Sequence, residues 1–458
     1  MPRPVDEPSG RGGAISHRAF LGIAVPFILS TITQPLLGAV DTAVVGHLPD
    51  PSLIGGVAVG TVIFNTLYWL FGFLRVGTTG LSAQARGMND PRAELHALAR
   101  PALIAAAIGV GITILQTPIF NLTMRWMSPS AEVLHYTGVY YRVLIWGAPL
   151  VLLNYVVLGW LMGQARIRAS LFMQIGGNLL NIVLDIVFVF YFGMGVGGVA
   201  AATLLSQIFS FVVGVAAVAA MRPFPALDRK SLFDRRAFAA LLGDNANLML
   251  RTVCLLIQIN VFTATGSSFG TVTLSANAIL FQIMMLISYS LDGLANTASV
   301  FSGKAVGGRD RAMLGETWRM TAFWAVALTL FSLLLFATLD RRIVDAFTNI
   351  GEVRAAIWTY ANWVYLFPVA ASAGVCFYGI FTGTGATGPV RNSTFFALVL
   401  YLACWRVCVP LWGNHGLWLA FISFYLGRSV FLLPYYKKTY TVFRETNRDA
   451  EPAKGLST

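Results

Sequence analysis

The chain has 458 residues, of which 56% are hydrophobic and 11% charged, with a mean hydropathy of +0.69 and a formal net charge of +12. A soluble globular protein carries about 25% charged residues, so this composition offers too little polar surface to cover a water-soluble body. It predicts a polytopic α-helical membrane protein. The basic residues fall mainly in one alternating set of connections and in both tails, and the opposite set holds only Arg125, Arg341, Arg342 and Arg354. Positive loops stay in the cytoplasm, so the basicity indicates cytoplasmic termini and disfavours a nucleic-acid partner.

Twelve apolar stretches long enough to cross a bilayer core about 30 Å thick follow one another along the chain. They are predicted near residues 17–47, 54–83, 95–119, 133–160, 167–192, 196–220, 238–265, 272–302, 313–338, 354–381, 392–412 and 416–436. The expected segments are an N-terminal cytoplasmic tail at 1–16, an N-lobe at 17–220, a cytoplasmic linker at 221–237, a C-lobe at 238–436 and a cytoplasmic tail at 437–458.

The two halves resemble each other. At an offset of 220 residues, Leu74–Asp90 lies over Leu294–Asp310, and Ser82 meets Ser302. Chance similarity between loops rich in Gly and Ser is the alternative. A repeat in this arrangement predicts two six-helix lobes related by a pseudo-two-fold axis along the membrane normal.

The first span contains a carboxylate, Asp41, with Gln34 and Gly38 on the same helical face. Pro26 and Pro35 interrupt the same span. Proline removes a backbone donor and kinks a helix, so this pattern indicates a movable gate. Alternatively, Asp41 lies near the outer surface and is merely solvated.

The fifth span stacks Asn178, Asn181 and Asp185 on one helical face. Three polar groups on an otherwise apolar helix must point into the protein or a wet cavity. Asn154 in the fourth span and Thr203 in the sixth are plausible additions. The carboxylate, amide and hydroxyl oxygens suit a proton relay or a sodium ion held by Asp41, Asp185, Asn181 and Thr203. A polar network that only joins helices is the alternative.

A third intramembrane acid, Asp292, lies in the eighth span, and Arg251 and Arg75 are its candidate partners. An internal ion pair would neutralise both charges. A structural or gating pair is favoured over ion coupling at this position.

Several strings resemble the multidrug and toxic compound extrusion (MATE) transporters, above all their DNA-damage-inducible (DinF) branch. They are PLLGAVDTAVVGHL, GGVAVG, LRVGTTGLSAQARG, GNLLNIVLD, YSLDGLA, VRNS and GNHGLWLA. The resemblance runs in order from about residue 17 to 436.

This resemblance implies a monomeric, twelve-helix exporter in the bacterial inner membrane that alternates between outward-open and inward-open states. It implies antiport of organic cations and amphipathic drugs against protons or sodium, with no cofactor and no enzymatic activity. Asp41 resembles the first-helix carboxylate whose protonation bends that helix, and Pro26 matches the bend point. The N-lobe cation or proton network is matched by Asn181, Asp185, Thr203 and Asn154.

Three other functions remain open at this stage. A lipid-linked oligosaccharide flippase shares the architecture and would need a basic cavity, for which Arg75 and Arg251 are available, although the N-lobe acids disfavour it. An intramembrane aspartyl protease is disfavoured because Val40 and Leu184 precede the acids in place of its signatures. A passive channel is disfavoured because it would lack the two-lobed repeat and the kinked gate.

Overall fold

The computed structural model describes residues 15–46, 51–221, 225–226 and 228–443, and gives only the backbone for 35–43, 45–46, 51 and 229. Within these ranges all regular structure is helical. The helices of the first half are α1 (His17–Gly46), α2 (Pro51–Leu70), α3 (Phe73–Met88), α4 (Pro91–Ile114), α5 (Gln116–Met127), α6 (Ala131–Leu144), α7 (Ala148–Gly163), α8 (Ile167–Ile186) and α9 (Gly195–Ala219). Those that follow are α10 (Arg229–Leu232), α11 (Arg235–Ser267), α12 (Thr271–Gly307), α13 (Arg311–Phe347), α14 (Gly351–Tyr360), α15 (Asn362–Gly383), α16 (Thr387–Trp412) and α17 (Asn414–Leu432).

Eleven candidate membrane spans lie among the described residues from Ser52 to Tyr440. With the 30-residue helix α1 that precedes them, they make the twelve predicted spans. The protein is a multi-pass membrane protein, as the composition indicates.

Several spans are interrupted where the sequence predicts one continuous helix. The second breaks at Phe71–Gly72, between α2 and α3, and the tenth divides at Ala361, between α14 and α15. The ninth, in contrast, continues to Phe347, well past the predicted end at 338. Apolar runs do not reveal such breaks. Arg341 and Arg342, which follow the predicted end, are good helix formers and lie within the continuation of α13.

The chain divides into two compact units. The N-terminal unit contains Leu29–Arg86 and Asp90–Leu241, and the C-terminal unit contains Leu242 onward with Gly87–Asn89 and the chain up to Ile28. Helix α1 therefore contributes to both units, and the division falls two residues after Pro26. In the C-terminal unit, the start of α1 packs into the core, where the Phe20 and Phe301 rings stack 5.5 Å apart.

Within each unit, glycines let two helices approach closely in the same way. A Cβ on Gly163 of α7 would lie 2.5 Å from the Thr79 carbonyl oxygen, and one on Gly383 of α15 would lie 2.4 Å from that of Ser299. The offset of 220 residues relates both members of each contact. The repeat in the sequence is therefore also a repeat of helix packing.

The helix starts repeat as well. Asp90 accepts a hydrogen bond from the Arg92 amide at 2.9 Å at the start of α4. Asp310 accepts one from the Met313 amide at 2.9 Å at the start of α13. Both aspartates satisfy amides that a helix leaves without partners at its first turn.

Candidate functional site

A cavity of about 570 Å³ lies inside the N-terminal unit. It is bounded by α1, α2, α6, α7, α8 and α9, and its polar and aromatic lining is Gln34, Thr61, Phe64, Asn65, Tyr68, Trp69, Tyr140, Tyr155, Asn178, Asn181, Thr203, Ser206, Gln207 and Ser210. No residue with a formal charge is among the described residues that line it. The cavity therefore offers amides, hydroxyls and aromatic faces to a ligand.

Two side-chain hydrogen bonds join α1 to α8 beside this cavity. The Asn178 amide donates to the Thr33 hydroxyl at 3.3 Å, and the Ser30 hydroxyl donates to the Gln174 amide oxygen. The residue numbers rise together on both helices, so α1 and α8 run parallel. The polar face predicted for the fifth span is thus the face that meets α1.

The same face of α8 continues to Asn181 and Asp185. Asn181 lines the cavity and is 2% exposed, and Asp185 is fully buried. Directly after Asp185 the regular helix ends at Ile186 and continues as a π-helix over Val187–Tyr191. Wide helical turns of this kind occur frequently at functional sites, and hydrophobic periodicity does not predict this one.

An amide pair joins α7 to α9. The Asn154 amide nitrogen donates to both the backbone and the side-chain oxygens of Gln207, each at 2.9 Å. Asn154 is buried, whereas Gln207 lines the cavity. One turn earlier on α9, the Thr203 hydroxyl lines the cavity and donates to the Val199 carbonyl at 3.0 Å.

Close contact between α8 and α9 depends on Gly177. A Cβ at this position would lie 2.1 Å from the Ser210 hydroxyl oxygen. Without a side chain at Gly177, the two helices bring their polar faces to one cavity wall. Aromatic rings of α2 and α6 also line the cavity, with Phe64 5.7 Å from Tyr68 and 6.3 Å from Tyr140 between ring centroids.

The predicted gate on α1 is described only in part. Gln34 lines the cavity, and Pro26 is half-buried in the part of α1 that belongs to the C-terminal unit. The side chains of Asp41 and Pro35 lie outside the described residues, although the α1 backbone runs through both positions.

A second polar cluster lies within the C-terminal unit. Arg428 of α17 is 5% exposed, and the charges of Arg251 on α11 and Asp292 on α12 act on it. Arg251 lies 4.5 Å over the Tyr378 ring, and Arg428 lies 5.5 Å over the Tyr425 ring. The cluster thus contains two arginines, each over a tyrosine ring, and one aspartate.

The other predicted partner of Asp292, Arg75, belongs to α3 of the N-terminal unit, where its charge acts on Tyr155. Arg75 is not among the residues that line the cavity. Arg251 is therefore the predicted partner that the structure places near Asp292 within one unit.

Sequence reasoning missed three of these residues. Gln174 and Gln207 each lie four residues from a predicted site residue, so the helical spacing could have revealed them. Arg428 had no such signal, since it is an isolated cation in an apolar run whose partners come from other helices.

Comparison with known proteins decides the family. The MatE family model matches residues 26–187 and 249–404. This chain belongs to the MatE family. It is 33% identical to the DNA damage-inducible protein F of Escherichia coli, over 92% of each chain. It is also 26% identical to a probable multidrug resistance protein NorM of Agrobacterium fabrum, over 91% of this chain and 92% of that one.

Solved MatE-type structures share the fold. An outward-facing multidrug resistance MATE transporter superposes with a TM-score of 0.81 at 20% identity, covering 95% of this chain and 98% of that one. A MOP superfamily transporter from Pyrococcus furiosus, described as having a binding pocket of reverse polarity, gives 0.83 at 20% identity, covering 94% and 97%. Members of the MatE family are ion-coupled antiporters and not enzymes.

Proposed function

We propose that this MatE protein is a proton-coupled exporter of organic cations and amphipathic toxic compounds, and that both proton and substrate act in its N-terminal unit. The observation that carries the proposal is the fully buried carboxyl of Asp185, on the helix face that lines the cavity. A carboxyl group at bilayer depth is costly and is seldom kept without a function.

The cavity chemistry suits a cation with apolar parts. Aromatic faces attract cations through their quadrupole, with about 2 kcal/mol or more available when the contact is dry. Amides and hydroxyls orient a polar group without imposing a charge. The name of the NorM relative, a probable multidrug resistance protein, supports the same substrate class.

Helix register supports a role for Asp41 in the same step. Thr33 bonds to Asn178, and Asp41 and Asp185 lie eight and seven residues further along these parallel helices. At about 1.5 Å per residue, the two positions are at nearly equal height. Protonation of these acids and binding of a cation then oppose each other, because desolvation favours the neutral carboxyl and a nearby cation favours the charged one.

The number of protons exchanged for each cation determines which gradient can drive transport. A pH unit supplies about 1.4 kcal/mol per proton, and the membrane potential about 2.3 kcal/mol per charge per 100 mV. Exchange of one proton for one monovalent cation is electroneutral and uses the pH gradient alone. Two acids allow a two-proton exchange that also uses the potential.

Sodium is the competing coupling ion at this site. It would be held by oxygens of Asp41, Asp185, Asn181 and Thr203, a donor set of the hard type that sodium accepts. We further propose that the protein works as a monomer in the bacterial inner membrane with both termini in the cytoplasm.

The test is efflux of a fluorescent organic cation from proteoliposomes that contain wild type, Asp41→Asn or Asp185→Asn. Under an imposed pH gradient, each substitution is expected to lower efflux at least about 100-fold, because the neutral amide cannot carry the proton. Asp345→Asn is the matched control, since Asp345 is an exposed carboxylate in the C-terminal unit, 3.1 Å from Arg354.

A sodium gradient applied alone identifies the ion. Efflux driven only by the sodium gradient would mean that sodium, and not the proton, is the coupling ion at the same site. Normal pH-driven efflux in both asparagine variants would overturn coupling in the N-terminal unit.

An anionic amphiphile, such as a lipid-linked oligosaccharide, is the second candidate substrate. The cluster of Arg251 and Arg428 favours it, because the C-terminal unit holds two guanidinium groups over tyrosine rings and, among the described residues, only one acid, Asp292, acts on Arg428. In the same proteoliposomes, export of an anionic amphiphile that is lost in Arg428→Gln would select this function over cation export.

A further inference from the structure

A basic cleft lies between α5 and α6 of the N-terminal unit. It has a volume of about 610 Å³ and is lined by Arg125, Arg142, His135 and Asn121, with apolar Phe120 and Leu134 beside them. It shares no residue with the cavity described above. The connection between α5 and α6 belongs to the set of loops predicted to face the outside.

Within the described part of the chain, no carboxylate neutralises the two arginines of the cleft, Arg125 and Arg142. Neither forms an ion pair with a carboxylate among the described residues. Glu132, the acid nearest to them in sequence, instead accepts a hydrogen bond from Ser52 at 3.0 Å. The cleft therefore presents two guanidinium groups to its surroundings.

Arg142 is an exposed cation that lies well inside a predicted membrane span, far from the start of α6. It comes eleven residues after Ala131, where α6 begins, or about 16 Å along the axis. Its guanidinium turns back over Gly138, where an added Cβ would lie 3.8 Å from the nitrogen. Long basic side chains reach toward the membrane interface in this manner.

Exposed apolar side chains flank the cleft. Trp126 is 80% exposed and Trp146 63% exposed, next to Arg125 and one turn beyond Arg142 respectively. Tryptophan concentrates at membrane interfaces, and Trp126 lies at the end of α5, so the cleft opens at the depth of lipid headgroups. Trp146 lies about 22 Å into the span that begins at Ala131, at the depth of the acyl chains. A ligand that reaches it from the bilayer carries both acyl chains and a polar head.

We propose that this cleft binds the phosphate of an anionic phospholipid. An arginine guanidinium donates two parallel hydrogen bonds to the oxygens of one phosphate. Basic pockets between transmembrane helices bind anionic lipid headgroups. The acyl chains would lie against Leu134 and the exposed tryptophans. The lipid would thereby hold the outer ends of α5 and α6 together beside the N-terminal unit's cavity.

The test is native mass spectrometry of the purified full-length protein with added phosphatidylglycerol, phosphatidylcholine or inorganic phosphate. Wild type is expected to retain phosphatidylglycerol, and the double variant Arg125→Gln/Arg142→Gln to retain it at least about tenfold more weakly, because two charge-assisted contacts are lost. The matched control is Arg341→Gln/Arg342→Gln, which removes two exposed arginines from the same predicted side.

A further variant, Arg125→Lys/Arg142→Lys, keeps the charge but not the paired geometry and should lose binding only severalfold. It tests the proposal even if the glutamine variant does not fold. Equal retention of phosphatidylglycerol by wild type and both cleft variants would overturn the site. Displacement of the lipid by inorganic phosphate would identify a soluble anion instead, and equal retention of phosphatidylcholine would show that the lipid's charge is irrelevant.

Discussion

The amide pair of Asn154 and Gln207 joins α7 to α9 beside the cavity. Asn154 is buried and uses its amide nitrogen on two oxygens of Gln207. Inside a membrane protein there is little water to replace such a partner. The pair therefore stabilises the wall on which Thr203 and Gln207 are presented.

Asn154→Leu should lower the stability of the purified protein by about 1–3 kcal/mol, because the oxygens of Gln207 lose a donor. The measurement is thermal unfolding in detergent. The control is Asn260→Leu, since Asn260 is exposed and its side chain donates to the Leu256 carbonyl of its own helix. An equal fall for both variants would contradict a special role for the pair.

Between helices, the contact of α1 with α8 is the element on which transport should depend. Among the described side chains, Ser30 and Asn178 form hydrogen bonds across it. Because α1 also belongs in part to the C-terminal unit, a change in its path would alter the cavity wall at Gln34. Bending of α1 is the motion expected of this family from the sequence.

A disulfide between Thr33→Cys and Asn178→Cys should arrest this motion. The background would be a chain whose four free cysteines, Cys254, Cys376, Cys404 and Cys408, are replaced by serine. Oxidation is expected to lower efflux at least about tenfold and a reducing agent to restore it. Each single cysteine variant is the control, and normal efflux by the cross-linked protein would show that α1 and α8 remain together during transport.

Over the whole molecule, the distribution of Lys and Arg predicts which ends of the helices face the cytoplasm. The loop at Ser128, between α5 and α6, belongs to the set with few basic residues, and the segment at Ala226 to the basic set. Both positions are exposed. They therefore report the orientation of the chain directly.

A membrane-impermeant maleimide applied to intact cells should label Ser128→Cys and leave Ala226→Cys unlabelled, in the same cysteine-free background. Permeabilised cells, in which both variants should react, provide the control. The reverse pattern would invert the predicted topology, and with it the side on which the basic cleft opens.

Much of the fold follows from the sequence because the bilayer admits few solutions. Apolar length, basic loops and the Ser82/Ser302 repeat were enough to predict twelve spans in two halves. Breaks such as Phe71–Gly72 and the π-helix after Asp185 did not follow, since they depend on what packs beside them. The polar face of α8 was predicted together with a partner on the first span, Asp41, but the bonds of Ser30 and Asn178 that join the two helices were not.

By itself, the sequence determined that the chain is a membrane protein, that its halves repeat, and that Asp185 and Asn181 share one helical face. Each of these depends on composition or on spacing along one helix. The tertiary structure decided which helices meet that face, that Gln207 completes the wall, and that Arg428 joins Arg251 and Asp292. Those contacts join residues far apart in the chain, and hydrophobic periodicity contains no information about which helices become neighbours.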